Sequence, residues 1–335
     1  MGDVAALKDA ASLEGRRVLV TGATGILGSW LCRELLERKA HVVAFVRDVD
    51  PASLLYSSGD AQRATVVVGA LEDGRAVERA INEHETSHVF HLGAQTIVGT
   101  ALRAPRPTLE SNVQGTWNVL EACRALKSLV SAVVIASSDK AYGEPAKLPY
   151  TEDMPLDAVH PYDVSKACTD LIARCYARTY ELPVAISRCG NIYGGGDLNW
   201  SRIVPGTIRS LLRKERPIVR SDGTFVRDYV YVKDVVGGYL ALAERIDHEG
   251  VRGEAFNFSN ESPLTVREIV AEITKAVPSD LQPIVRNDAK AEIKSQALSA
   301  AKAKRVLGWK AEWPLRKGLA ETVAWYREHL ARADR

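Results

Sequence analysis

The chain has 335 residues, 46% of them hydrophobic, with 44 basic and 42 acidic side chains and a formal net charge of +2. That is enough apolar chain for one large core or two modest ones, and the interspersed charges, with no basic block, exclude a dedicated nucleic-acid or membrane-surface binder. Cys32, Cys123, Cys168, Cys175 and Cys189 form no C-x-x-C pair, so neither a disulfide frame nor a zinc site is expected, and a reducing cytoplasmic setting is. Residues 1–13 include Asp3 and Asp9 but no apolar run of signal length, and no later segment approaches a transmembrane span.

Arg16 to Val20 reads as a first strand. Thr21-Gly22-Ala23-Thr24-Gly25-Ile26-Leu27-Gly28 follows at once, then a helix from about Ser29 to Lys39. Strand, glycine loop and helix in this order are what dinucleotide binding requires. Gly22 permits the tight turn, Gly25 lets backbone N–H groups close on a pyrophosphate, and Gly28 lets helix and strand pack while the helix N-terminus faces the anion. The second strand, His41 to Val46, ends on Arg47-Asp48. An acid there would hold the adenosine ribose of NAD and an arginine the 2′-phosphate of NADP, so both cofactors stay open.

Thr65 to Val68 is a third strand, Gly74 to Glu85 a helix, and His88 to Leu92 a fourth strand ending in Gly93-Ala94-Gln95. A loop with Pro105 and Pro107 leads to a helix from about Leu109 to Leu126 and a fifth strand, Ala132 to Ala136. A helix from Tyr162 to Thr179 and a strand from Val184 to Ser187 follow, then a glycine-rich loop from Arg188 to Gly196. The alternation predicts an α/β fold, a Rossmann-type doubly wound parallel sheet over residues 1–188 with a smaller C-terminal α/β region over 189–335. The chain is expected to return to the first unit over 225–258, through strand-like Phe225 to Val232, helical Val235 to Arg245 and a short strand, Ala255 to Phe258. Thr265 and Glu268 form a capping box, helices are expected over Ala300 to Leu307 and Leu319 to Leu330, and the alanine-rich stretch Ala289 to Ala303 reads as helix.

The fifth strand stops on Ser137-Ser138-Asp139-Lys140, which no core strand would bury unpaired. Tyr162 and Lys166, four apart on one helical face, put a phenol beside an ammonium, an arrangement that favours the phenolate and makes a base usable near neutral pH. A surface pair and a turn at a strand end are the competing readings; the position of both groups downstream of a dinucleotide loop favours chemistry. His84, His88, His91 and His160 lack ligand spacing, so no metal is expected.

Taken with His91-Leu92-Gly93-Ala94, Asn112, Gly115-Thr116, Gly223 to Asp234 and Leu307-Gly308-Trp309, these motifs resemble the extended short-chain dehydrogenases/reductases, specifically the nucleotide-sugar epimerase and dehydratase family. Gly28-Ser29-Trp30-Leu31, Ala94-Gln95, Ser138-Asp139-Lys140 and Gly194-Gly195-Gly196-Asp197 with Arg202 are similar to CDP-glucose 4,6-dehydratases, whereas Arg227-Asp228-Tyr229 departs from them. The resemblance implies a cofactor wall of Gly22, Thr24, Gly25, Ile26, Leu27, Gly28, Arg47, Asp48, Leu71, Leu92, Gly93 and Ala94, with Tyr162 and Lys166. It implies Tyr162 as the proton acceptor at a sugar hydroxyl, Ser138 at the developing ketone oxygen, Asp139 as acid for a leaving hydroxyl and Lys140 as base at C5. Gln95, Ser138, Asn191, Arg202 and Arg227 are the candidates for substrate, the two arginines for its diphosphate. Asn112 is expected to support Lys166 through backbone or water contacts rather than to touch substrate, and Trp200 to pack either on ligand or in the core. The implied reaction is NDP-hexose 4,6-dehydration, with NDP-sugar 4-epimerisation as the alternative, and the implied assembly is a homodimer through residues 109–126 and 162–179.

Overall fold

The computed structural model describes residues 12–288 and 292–333. Expectations for residues 1–11 and for 289–291 lie outside the described residues.

Seven strands, β1 (Arg17–Thr21), β2 (His41–Val46), β3 (Thr65–Val68), β4 (His88–His91), β5 (Ala132–Ala136), β6 (Val184–Cys189) and β7 (Ala255–Phe258), form one sheet in the order 7-6-5-4-1-2-3. Every pair is parallel. Side chains alternate between two cores. Val18, Val20, Val42, Ala44, Phe90 and Val134 face one, while Leu19, Val43, Phe45, Val89, Val133 and Ile135 face the other. Both faces must therefore be covered by helices, which is why the strands read as near-continuous apolar runs. Helix α1 (Ile26–Glu37) covers the first face. Helices α2 (Gly74–Glu83), α3 (Gly115–Ala125) and α4 (Pro161–Thr179) cover the second.

Two further helices, α5 (Ile203–Leu212) and α6 (Val232–Glu244), follow β6. Helix α6 lies on the same face as α1 and feeds β7, so the stretch after residue 225 returns to the main sheet. Phe225 to Val232 is not one strand. Val226–Arg227 pairs antiparallel with Leu264–Thr265, whereas Tyr229–Tyr231 pairs parallel with Asn191–Tyr193, and the chain switches partners at Asp228. The glycine-rich loop after Arg188 likewise contains a strand, Asn191–Tyr193, because it has this partner. Helix α7 (Val266–Ala276) starts with both bonds of the Thr265–Glu268 capping box in place, and Gly308, at φ 65°, closes α8 (Ala301–Leu307). The last helix, α9 (Leu315–Ala333), is longer at both ends than its apolar pattern predicts.

The helix predicted from Leu109 to Leu126 is present, its first turn widened into a π-turn, Glu110–Gln114, from which Asn112 grips Gln95. Within the alanine-rich stretch, residues 292–300 are not helical: Ser295 bridges Val226 and Leu298 bridges Tyr150. There strand-like partners override a weak local preference for helix.

Candidate active site

The strand order reverses between β1 and β4, and a crevice opens there at their carboxyl ends. Bare backbone forms its floor. Gly22 has φ 69°, and a Cβ on it would stand 2.7 Å from the Cα of Gly93; one on Gly28 would collide with the Gly22 carbonyl. Thr21 Oγ1 accepts from the N–H groups of Leu92 and Gly93, both at 3.1 Å, which locks the two strand ends together. No side chain caps α1, and no acid stands in its first turn, so its N-terminal N–H groups face the crevice as an anion site. Leu71 packs against both Gly93 and Gly115. These features fit a dinucleotide: a tight glycine turn, a close backbone approach and an uncapped helix start.

Arg47 and Asp48 pair with each other at 2.6 Å on the exposed rim. Both border the cleft.

The crevice continues past the end of β5 into the C-terminal region as one cleft of about 1480 Å³. A single small-molecule site runs to roughly 300–1,000 Å³, so this space suits two ligands end to end. Every site residue expected from the sequence lines it: Gly22, Thr24, Gly25, Ile26, Leu27, Gly28, Arg47, Asp48, Leu71, Leu92, Gly93, Ala94, Gln95, Ser138, Asp139, Lys140, Tyr162, Lys166, Asn191, Arg202 and Arg227.

At its centre α4 is bolted to β5. Lys166 Nζ donates to the Ala136 carbonyl at 2.8 Å, and Ser137 Oγ donates to the Lys166 carbonyl at 3.2 Å. Beneath them Arg188 on β6 grips Asp170 on α4 with two bonds of 2.7 and 2.9 Å, fully buried, so Tyr162 and Lys166 are held by the sheet itself. Burial lowers the Lys166 ammonium to about 8. The Tyr162 phenol is pushed above its ordinary value by burial, against which the Arg202 charge and the Ser138 hydroxyl act. Lys166 Nζ is bonded to the Ala136 carbonyl, and the cation that lowers the Tyr162 phenol here is Arg202. Asn112 makes no direct hydrogen bond to the Lys166 side chain; it holds the Gln95 backbone and donates to Ser165 Oγ, one residue before Lys166, at 2.9 Å, joining the end of β4 to the first turn of α4.

Asp139 and Lys140 lie in a one-turn helix straight after β5. Asp139 Oδ1 accepts from Ser138 Oγ at 2.9 Å. Burial raises the Asp139 carboxyl and lowers the Lys140 ammonium, each pushed toward its neutral form, while their mutual attraction opposes both shifts.

Two participants were not anticipated. Gln296, fully buried, donates from Nε2 to Asp139 Oδ2 at 2.8 Å and accepts from Lys140 Nζ at 3.0 Å. No local signal in the sequence points to it, since it arrives from 156 residues away. Asp163, next to Tyr162, lines the cleft as a third carboxyl, raised by burial to about 6. Its one sequence cue, an acid in the first turn of a helix, reads equally as a dipole contact.

Of the substrate candidates, Asn191 leaves its buried Nδ2 without a hydrogen-bond partner among the described residues, as does the Tyr229 hydroxyl on the same wall. Arg202 is braced by Asp197 at 3.0 Å and Thr96 at 3.0 Å, and Arg227 by Glu292 at 3.2 Å and two backbone carbonyls. Gln95 folds its amide onto Ile97. Trp200 borders the cleft yet packs on Tyr326 and under Arg209, so it serves the wall and its support together.

A parallel doubly wound sheet with a dinucleotide crevice, a tyrosine and lysine on one helix and a second ligand space beyond them defines an extended short-chain dehydrogenase/reductase. Residues 19–322 match the family described as GDP-mannose 4,6 dehydratase, and the chain belongs to that family. It is 29% identical to CDP-glucose 4,6-dehydratase of Salmonella typhimurium across 96% of this chain and 93% of that one. Among solved structures it resembles dTDP-glucose 4,6-dehydratase DesIV of Streptomyces venezuelae with NAD bound, at a TM-score of 0.85 and 29% identity over 94% and 98% of the two chains. It also resembles UDP-glucose 4-epimerase of Thermotoga maritima with UDP-glucose, at 0.84 and 29% over 94% and 99%.

Proposed function

We propose that this chain is an NDP-hexose 4,6-dehydratase that retains a nicotinamide cofactor and forms a 4-keto-6-deoxy sugar, CDP-glucose being the nearest named substrate. One observation carries the reading: a buried carboxyl, Asp139, and a half-buried amine, Lys140, line the cleft beside Ser138, Tyr162 and Lys166. A 4-epimerase needs only the last three. An acid and a base in addition are what elimination of water requires.

Gly22, Thr24, Gly25, Ile26, Leu27, Gly28, Leu71, Leu92, Gly93 and Ala94 would hold the cofactor, which when bound supplies hydride uptake from sugar C4 and its later return. Tyr162 takes the proton of the C4 hydroxyl, and Ser138 holds the oxygen as it becomes a ketone. Lys140, as the neutral amine favoured by burial, removes the C5 proton that the ketone has acidified. Asp139 gives its proton to the departing C6 hydroxyl. Asp48 at the ribose supports NAD over NADP, since it already holds Arg47.

Asn191, Arg202 and Arg227 are assigned to the substrate diphosphate and Gln95 to the sugar. Residues 1–188 with the returning 225–258 are assigned as the cofactor unit and 189–335 as the nucleotide-sugar unit. Exposed Trp117 and Leu171, on α3 and α4, support a homodimer through these helices.

The test is turnover of CDP-, dTDP-, GDP- and UDP-hexoses in deuterated water. A 4-keto-6-deoxy product labelled at C5 is expected. The likeness to the Thermotoga maritima epimerase motivates the second reading, under which the product is a C4 epimer without label at C5.

A further inference from the structure

Gln296 is the most deeply buried polar group touching the acid and the base, and it joins them. Lysine can only donate and an ionised carboxylate can only accept, so the amide has one satisfying orientation: its oxygen toward Lys140 Nζ at 3.0 Å, its nitrogen toward Asp139 Oδ2 at 2.8 Å. The two side chains make no contact ion pair with each other; the amide stands between them. We propose that Gln296 is a positioning residue for the elimination, a fixed dipole that keeps Asp139 and Lys140 apart and stabilises the charges they acquire together. This rests on the dehydratase reading and on the roles given there to Asp139 and Lys140.

In the elimination the Lys140 amine takes the C5 proton, and the C5–H electron pair becomes the C5=C6 double bond. The C6–O bond breaks, and the oxygen leaves as water with the proton of the Asp139 carboxyl. A neutral amine and a neutral acid thereby become an ammonium and a carboxylate. The amide of Gln296 is already oriented for that charged pair, with oxygen on the nascent cation and N–H on the nascent anion, and needs no reorganisation as the charge develops. Without the spacer the pair would collapse into direct contact, which traps the base as ammonium and turns the acid away from the cleft. The backbone supports the role. Ser295 and Leu298 bridge Val226 and Tyr150, and the Leu298 N–H donates to Asp228, so the extended segment that carries Gln296 is pinned on both sides.

The experiment compares the full-length wild type with Gln296→Leu and Gln296→Glu, each loaded with cofactor and mixed with the NDP-hexose the wild type turns over, in deuterated water. Near-ultraviolet absorbance follows the reduced nicotinamide, and mass spectrometry follows C5 label and water loss. In Gln296→Leu, elimination is expected to slow about 100-fold while hydride uptake and KM stay within about threefold, so that reduced cofactor accumulates. Gln296→Glu keeps the volume and the acceptor for Lys140 but opposes a carboxylate to Asp139, and is expected to show the same split; its melting temperature guards against a lost fold. Unchanged elimination, or a parallel fall in hydride uptake and elimination in both variants, would overturn the proposal. A wild type that epimerises every hexose without C5 label would instead overturn the dehydratase reading beneath it.

Discussion

The two ends of the β-sheet crevice are built on opposite principles. At the end of β1 the working surface is main chain: Gly22 and Gly28 leave room, Thr21 ties β1 to β4, and the start of α1 offers N–H groups. At the end of β5 it is side chain: Ser138, Asp139, Tyr162 and Asp163 are buried, Lys140 is half-buried, and Gln296 and Arg227 reach them from remote segments. Under the proposed function the first end has only to hold a retained cofactor, which an empty, neutral, rigid cradle suits. The second would have to move protons, and there burial pushes Asp139 and Lys140 toward neutrality while a neighbour stands ready to steady the charges that form. A substitution should therefore cost fit and stability at one end and chemistry at the other.

The largest expected effect is at the second end. Tyr162→Phe removes the phenol and should lower both hydride uptake and return about 100- to 10,000-fold, read as loss of the reduced-cofactor signal on adding NDP-hexose. Lys140→Ala should separate the steps, slowing elimination about 100-fold or more while hydride uptake persists. Reduced cofactor without keto-deoxy product is the expected result; unchanged dehydration would remove Lys140 from the mechanism.

Gly22→Ala sharpens the contrast from the other side. Its Cβ would meet Gly93 at 2.7 Å on a residue at φ 69°, so a loss of about 1–3 kcal/mol in stability and of cofactor retained through desalting is expected, measured by thermal melting and bound-nicotinamide absorbance.

The smallest effect is a pH dependence. Burial raises Asp163 to about 6 from an ordinary 3.8, and Asp228 is raised to about 6 as well. Between about pH 4 and 6 the native state keeps protons that the unfolded chain releases, so stability is full below that window and falls as pH rises through it. Asp163→Asn should flatten part of the fall, gaining up to about 2 kcal/mol relative to wild type at pH 7, measured by urea unfolding at pH 4 and pH 7. An identical pH slope in the variant would mean that Asp163 titrates normally.

How much of this was legible in advance differs between the same two ends. The glycine loop announces itself because its constraint is steric and local: only glycine tolerates the turn and the approach, so the spacing of three residues carries the site. Tyr162 and Lys166 are legible because a helix makes residues four apart neighbours, and Ser137 to Lys140 because a buried apolar strand that stops on four polar residues needs a reason. Asp163 stood in plain view beside Tyr162, but nothing local separates a cleft carboxyl from a helix-dipole acid. Residues 292–300 are extended where alanine content speaks for helix, because the bridges of Ser295 to Val226 and of Leu298 to Tyr150 decide the path.

The amino-acid order by itself determined the doubly wound parallel sheet and the dinucleotide crevice, and it set Tyr162 beside Lys166 and Asp139 beside Lys140; these follow from period, from glycine sterics or from adjacency along the chain, interactions that act within a few residues. The family was legible as a resemblance of the motifs they form. Only the tertiary structure decided that Gln296 bridges Asp139 and Lys140, that Arg202 and Arg227 are braced by Asp197 and Glu292, and that burial shifts Asp139 and Lys140 toward neutrality. Hydrogen bonds and desolvation depend on which remote groups share a volume, and that is settled by how the layers pack.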